Sequence, residues 1–213
     1  MRRPLTRSYS YAPISTPVLF KWAEPVDDRI SRFGRVAIAR RPSGVENTAM
    51  NKEAVVRGAA PGDAAAICKI YNAALEERGS TFETAPRSPA DFQPRIEDSR
   101  FPLLVSNTNE GIAGWAGLAP YSTRECYSGI GEASVYVAPR ARGHGLGTLL
   151  TEALAAAAEK RGFHKMIGKL FTDNAASIRL VERCGFDSVG MHRRHGRLDG
   201  AWRDVLVVER LLG

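Results

Sequence analysis

Hydrophobic and polar positions change rhythm repeatedly along the chain from about residue 53 onward, and each change marks an element. Residues 53–57 (Glu-Ala-Val-Val-Arg) read as a short strand and Pro61-Gly62-Asp63 as a turn. Ile67, Ile70, Tyr71, Ala74 and Leu75 then recur at the three- and four-residue spacing of a buried helix face. Ser88-Pro89-Ala90-Asp91 reads as a second helix start, with Ser88 as cap and proline at the first helical position, where its missing N–H costs nothing. Residues 101–106 and 111–119 are strand-like runs across a polar turn at 107–110, which predicts a hairpin. A strand at 132–138 precedes an Ala/Leu-rich helix at 145–161 that Gly162 stops, and a strand at 165–171 precedes a helix at 175–184 that Gly185 ends. Two last strands, 188–195 and 201–210, flank an Asp199-Gly200 turn. This alternation predicts one α/β domain on a mixed sheet, without internal repeats.

The first 49 residues are different. Pro4, Pro13, Pro17, Pro25 and Pro42 are scattered among Arg and Ser without helical or alternating period, so this stretch reads as a disordered extension before a domain spanning 50–213. It also carries most of the charge. Residues 1–49 hold nine Lys+Arg against four Asp+Glu, a net of +5 out of the chain's +7, which leaves +2 for the rest. A nearly neutral domain gives no footing for binding a phosphate backbone, so nucleic acid is not an expected partner. With 44% hydrophobic and 25% charged residues and no run of roughly 18 apolar positions, the chain reads as a cytoplasmic protein without membrane segments. Cys68, Cys126 and Cys184 are odd in number and far apart, which suggests neither a disulfide framework nor a metal site.

Candidate chemistry begins at Arg142-Gly143-His144-Gly145-Leu146-Gly147, between a predicted strand and a predicted helix. Glycines let the backbone approach a ligand closely, and the first turn of a helix offers unpaired N–H groups with partial positive charge, a combination suited to pyrophosphate. Taken alone, the segment reads equally as a flexible connection. Two better-known phosphate loops are excluded: the dinucleotide fingerprint needs glycine where Thr148 stands, and Thr148-Leu149-Leu150 does not supply the Lys-Ser/Thr of a P-loop.

Arg142-x-x-Gly145-x-Gly147 resembles the signature of the GNAT acetyltransferases. An ordered set of further motifs is similar to the phosphinothricin N-acetyltransferase-like branch across about residues 53–210: Thr81-Phe82-Glu83, Arg124-x-x-Tyr127, Glu132-x-Ser134-Val-Tyr-Val, Asn174-x-x-Ser177 and Gly200-x-Trp202-x-Asp204. The resemblance implies a twisted sheet splayed near its middle, acetyl-CoA as cosubstrate, no metal, a small amine as acceptor and a homodimer. It places the pantetheine arm beside Val135 and Val137 and the pyrophosphate on the stretch Arg142, Gly143, His144, Gly145, Leu146 and Gly147. Asn174 and Ser177 fall where the family uses polar groups on the cofactor, although capping the next helix is their plainer role.

Acyl transfer to an amine needs the neutral base, while an α-amino group is mostly protonated at neutral pH. Glu132 is the candidate proton acceptor, on a strand face shared with Ser134 and Tyr136 while Val135 and Val137 face the other way. The resemblance assigns acceptor binding to Phe82, Glu83, Arg124 and Tyr127, with Arg124 suited to grip a carboxylate or phosphinate. Phe82 reads equally as core, and Arg124 as a solvated surface charge. One departure is visible: Val181 stands where the family usually has Tyr or His, so no proton donor for the leaving thiolate is offered there. His192, His195 and Trp202 fall on the last two strands, as pocket rim, dimer contact or unspecialised surface. Another amine, such as a polyamine, an aminoglycoside or a protein N-terminus, is the alternative acceptor.

Overall fold

The structure, a computed structural model, describes residues 54–213, so the expectations for residues 1–49 and for Glu53 lie outside the described residues. The described elements follow in the expected order: β1 (Val55–Gly58), α1 (Ala64–Glu76), α2 (Gln93–Glu97), β2 (Leu103–Thr108), β3 (Gly111–Pro120), β4 (Ile130–Val137), α3 (Leu146–Glu159), β5 (Lys165–Phe171), α4 (Ala175–Arg183), β6 (Asp187–Leu198) and β7 (Ala201–Leu211). The least regular is the second helix. Ser88 and Pro89 do open it, with the Asp91 carboxylate accepting from the Ser88 N–H at 2.7 Å, but Pro89–Phe92 is a 3-10 turn and α2 adds only five residues. Pro94 explains the break, because it lacks an N–H to continue the ladder and its ring crowds the preceding turn.

All described strands join one sheet in the order β1-β2-β3-β4-β5-β7-β6, antiparallel except for β4 and β5. The parallel pair is required by connectivity, since α3 carries the chain from the end of β4 back to the start of β5. That pairing is short. Only Ile130, Gly131 and Glu132 face Lys165, Met166 and Ile167, after which β4 continues to Val137 without β5 beside it. The sheet is therefore splayed at Glu132, as the resemblance implied.

Strand alternation sends side chains into two cores. Leu104, Ala116 and Leu118 bury one face beneath Leu150, Leu154 and Ala158 of α3 and Val181 of α4. Leu103, Val105 and Trp115 bury the other beneath Ile67 and Tyr71 of α1 and Phe92 of the 3-10 turn. Ile67, Val105, Trp115, Leu150 and Leu154 are all fully buried, each contributing about 1.5–3 kcal/mol by leaving water. Both helical layers thus pin β3 and β4, and the splay opens between rigid walls. Among the described residues no helix is long and apolar enough to cross a membrane.

Candidate active site

Beyond Glu132, β4 has lost its neighbour on one side, and a cavity lies against each of its faces. Glu132, Ser134 and Tyr136 line one of about 560 Å³, together with Tyr71, Phe82, Arg95 and Lys169. Val135 and Val137 line a longer groove of about 820 Å³ that runs past the glycine turn and the start of α4. The division follows the two-residue period of the strand. Ser80 and Tyr136 line both spaces, so they meet near the end of β4.

The groove is built around two helix starts. Gly143 and Gly145 have φ of +82° and +81°, a region that costs other residues about 1–2 kcal/mol, and Gly145 is the N-cap of α3. These angles turn the chain so that Gly143, Gly145, Leu146, Gly147 and Thr148 all border the groove at the positive end of α3. The Leu146 side chain is itself buried core, so only its backbone has a ligand role to play, and His144 does not border the groove. Arg142 donates from Nε to the Val137 carbonyl at 3.0 Å and pairs with Glu77 at 2.9 Å, fixing the turn to β4 and to α1. Across the groove, Asn174 caps α4 by accepting from the Ser177 N–H at 3.0 Å while donating to the Gly79 carbonyl at 2.9 Å. Five arginines, Arg78, Arg142, Arg179, Arg183 and Arg203, stand against two carboxylates, Glu77 and Asp173. A long polyanion with a thin apolar tail fits this lining: amides and guanidinium groups for phosphates, Val135 and Val137 for the tail.

The smaller cavity is built from side chains. Glu132 accepts from Lys169 at 2.8 Å, and both are part-exposed, so the carboxylate is held toward the cavity yet open to it. On the opposite wall Glu83 and Arg87 form a two-pronged pair at 2.5 and 2.8 Å, which holds the Glu83 carboxyl below the usual carboxylate range. Phe82 is at once core and lining: its ring meets Phe171 edge-on at 4.8 Å and packs beside Leu198 and Val205. Burial keeps Tyr136 protonated far above ordinary tyrosine, so it faces both spaces as a neutral phenol.

The structure brings Glu132, Phe82 and Glu83 together but leaves out two expected residues. Arg124 and Tyr127 belong to an exposed loop before β4, where Arg124 precedes a short 3-10 turn and Tyr127 meets Tyr121 edge-on at 5.8 Å; neither lines the cavity. Val181 is buried against α3 and borders neither space, so the position leaves no room for an exposed donor. His195 reaches the cavity wall, with its Nδ1 3.2 Å from that of His192, whereas Trp202 lies under Arg197 at 4.5 Å on the outer strands. No group of three metal-binding side chains occurs among the described residues. Sequence reasoning missed Lys169, Arg87 and Arg95. Lys169 is legible only once β5 is known to lie beside β4, and no motif singles out Arg87 or Arg95.

An open parallel strand pair thus separates a groove suited to a polyanion from a smaller cavity that carries a part-exposed carboxylate, in an α/β domain. The chain belongs to the acetyltransferase (GNAT) family, whose model matches residues 66–186. It is 35% identical to a phosphinothricin N-acetyltransferase of Streptomyces coelicolor over 75% of this chain and 97% of that one. It is 34% identical to an L-methionine sulfoximine/L-methionine sulfone acetyltransferase of Pseudomonas paraeruginosa over 73% of this chain and 93% of the relative. The crystal structure of a phosphinothricin acetyltransferase from Sinorhizobium meliloti in complex with acetyl-CoA superposes with a TM-score of 0.71 at 29% identity, covering 76% of this chain and 89% of that one.

Proposed function

We propose that the protein acetylates the primary amine of a small amino-acid-like molecule, using acetyl-CoA. The observation that carries this reading is the meeting of the two spaces at Tyr136 and Ser80, one lined by phosphate-binding features and the other by a part-exposed carboxylate. Acetyl-CoA supplies an activated thioester. The amides of Gly143, Gly145, Leu146 and Gly147 and the surrounding arginines hold its phosphates, and Val135 and Val137 guide its arm toward the junction. Glu132 takes a proton from the acceptor ammonium, directly or through water, and Lys169 keeps the carboxylate in place. The neutral nitrogen attacks the thioester carbonyl; the C–N bond forms, the C–S bond breaks, the nitrogen releases its second proton to solvent, and the sulfur leaves as a thiolate that takes up a proton from solvent. Val181 offers none, and a thiolate is a tolerable leaving group without one.

The acceptor class follows from the relatives that are named for phosphinothricin and methionine sulfoximine. A panel of amines incubated with acetyl-CoA and followed by free-thiol release tests it: turnover with amino-acid analogues is expected, and turnover only with polyamines or aminoglycosides overturns it. We propose in addition that two copies assemble, supported by the edge position of β6 with Val189 and Met191 exposed; sedimentation as a monomer overturns that.

A further inference from the structure

The cavity that holds Glu132 is also lined by a cation that has no ion-pair partner among the described residues. Arg95 of α2 lies with its guanidinium carbon 5.5 Å from the centre of the Trp115 ring, and its Nη2 is buried without a hydrogen bond. Among the described residues no carboxylate makes an ion pair with it; Glu83 is engaged by Arg87, and Glu132 by Lys169. The Trp115 Nε1–H is in the same condition, buried and without an acceptor. Burial, reinforced by the nearby charge of Arg87, draws the Arg95 guanidinium below its ordinary basicity, although phenols nearby oppose the shift. A side chain kept only for packing has no reason to bear an unpaired buried charge, which an apolar residue of similar length would avoid.

The sheet register says where this donor pair stands relative to Glu132. On one face of β3 and β4, Trp115 is opposite Tyr136, Gly117 is opposite Ser134, and Ala119 is opposite Glu132. Gly117 leaves room for the guanidinium: a Cβ there would lie 3.2 Å from Arg95 Nη2 and collide with Leu103 Cδ1 at 2.5 Å. Arg95 Nη2 is therefore over the row next to that of Glu132, and two residues of strand span roughly 6–7 Å. That is the scale on which one small zwitterion can set its ammonium at one group and its anion at the other.

We propose that Arg95 Nη2 and the Trp115 indole N–H form the receptor for the acceptor's carboxylate. The cavity then selects amines that carry an acid a few bonds away, and it does so with donors already desolvated, so the charge-assisted contact is strong. This deepens the acetyltransferase reading and rests on it.

The test compares L-methionine sulfone, whose one anion is its carboxylate, with its carboxamide, in the wild-type full chain and in Arg95→Met and Arg95→Lys. Wild type is expected to prefer the acid. Arg95→Met should lower kcat/KM for the acid by roughly 30-fold or more, with little change for the amide and in the KM of acetyl-CoA, and Arg95→Lys should restore part of the preference. The thermal midpoint of Arg95→Met should equal or exceed that of wild type, because an unpaired buried charge has been removed. An equal loss for acid and amide, or a midpoint lowered by several degrees, overturns the receptor and makes Arg95 a structural residue. Wild-type acetylation of amines without preference for the acid also overturns it while leaving the acetyltransferase reading intact. Absence of thiol release with every amine of the panel removes the reading itself.

Discussion

The two spaces on either side of β4 are made in opposite ways. The groove is centred on two local segments, the 142–148 turn and the start of α4 at Asn174, Ala175, Ala176 and Ser177, with Val135, Val137 and five arginines around them. The cavity takes its character from side chains that reach it from α1, the 81–87 loop, α2, β3, β4, β5 and β6. A backbone site depends on local angles and on glycine, so it withstands many side-chain changes and recurs with one recognisable spacing. A side-chain site depends on which elements neighbour each other, and single substitutions retune it. Within one small domain, the proposed cofactor groove is thereby separated from the proposed acceptor cavity.

Substitutions on each side should part cleanly. The largest effect is expected for Glu132→Gln, which should lower turnover by about 10²-fold to 10⁴-fold near neutral pH while acetyl-CoA affinity, measured by calorimetry, stays near that of wild type. Unchanged turnover would remove Glu132 as the proton acceptor. Gly145→Ala should act on the other side: a side chain at φ +81° costs about 1–2 kcal/mol, and a turn that relaxes to avoid it misdirects its amides. An increase of roughly 10-fold in the KM of acetyl-CoA is expected, with the acceptor KM nearly constant; an equal rise in both would mean that the two sides are not separable. Lys169→Met should be milder, because its pair with Glu132 is part-exposed and such pairs contribute about 1 kcal/mol or less. A fall in kcat of up to about fivefold, shared by all acceptors, is the expected reading.

The smallest effect lies outside both spaces and calibrates them. Asp63 accepts from Arg57 at 2.6 and 3.0 Å and from the Ala60 N–H at 2.8 Å at the entrance to α1, and the Arg57 contact holds its carboxyl below the ordinary range. A lowered folded value means that the stabilisation is fully present above the unfolded carboxylate pKa of about 3.9 and is lost as pH falls through the folded value. The difference in thermal midpoint between wild type and Asp63→Asn should therefore be constant near neutral pH and shrink toward about pH 2–3. A difference independent of pH would assign the role of Asp63 to capping alone.

How much was legible from sequence follows the same division. The glycine turn, the Asn174 cap and the alternation of β4 were readable, and all three were found in place, since each depends only on residues a few positions apart. Phe82 read as lining or core and is both. Arg124 is the instructive case: its motif and its charge suited an acid-binding role, yet its loop is exposed outside the cavity, while Arg95, which no motif singles out, is the cation with a buried Nη2 beside the site.

Local pattern determined the order of elements, the entrance to α3 and the two faces of β4, because hydrophobic period, proline and glycine act through the backbone within one or two turns of chain. Only the tertiary structure decided that β5 leaves β4 after Glu132, that Lys169 then meets Glu132, and that Gly117 makes space for the Arg95 guanidinium. Those relations join residues 22 to 37 positions apart, from Arg95 to Gly117 and from Glu132 to Lys169, and they exist only when strand order and register bring the partners to one face of the sheet.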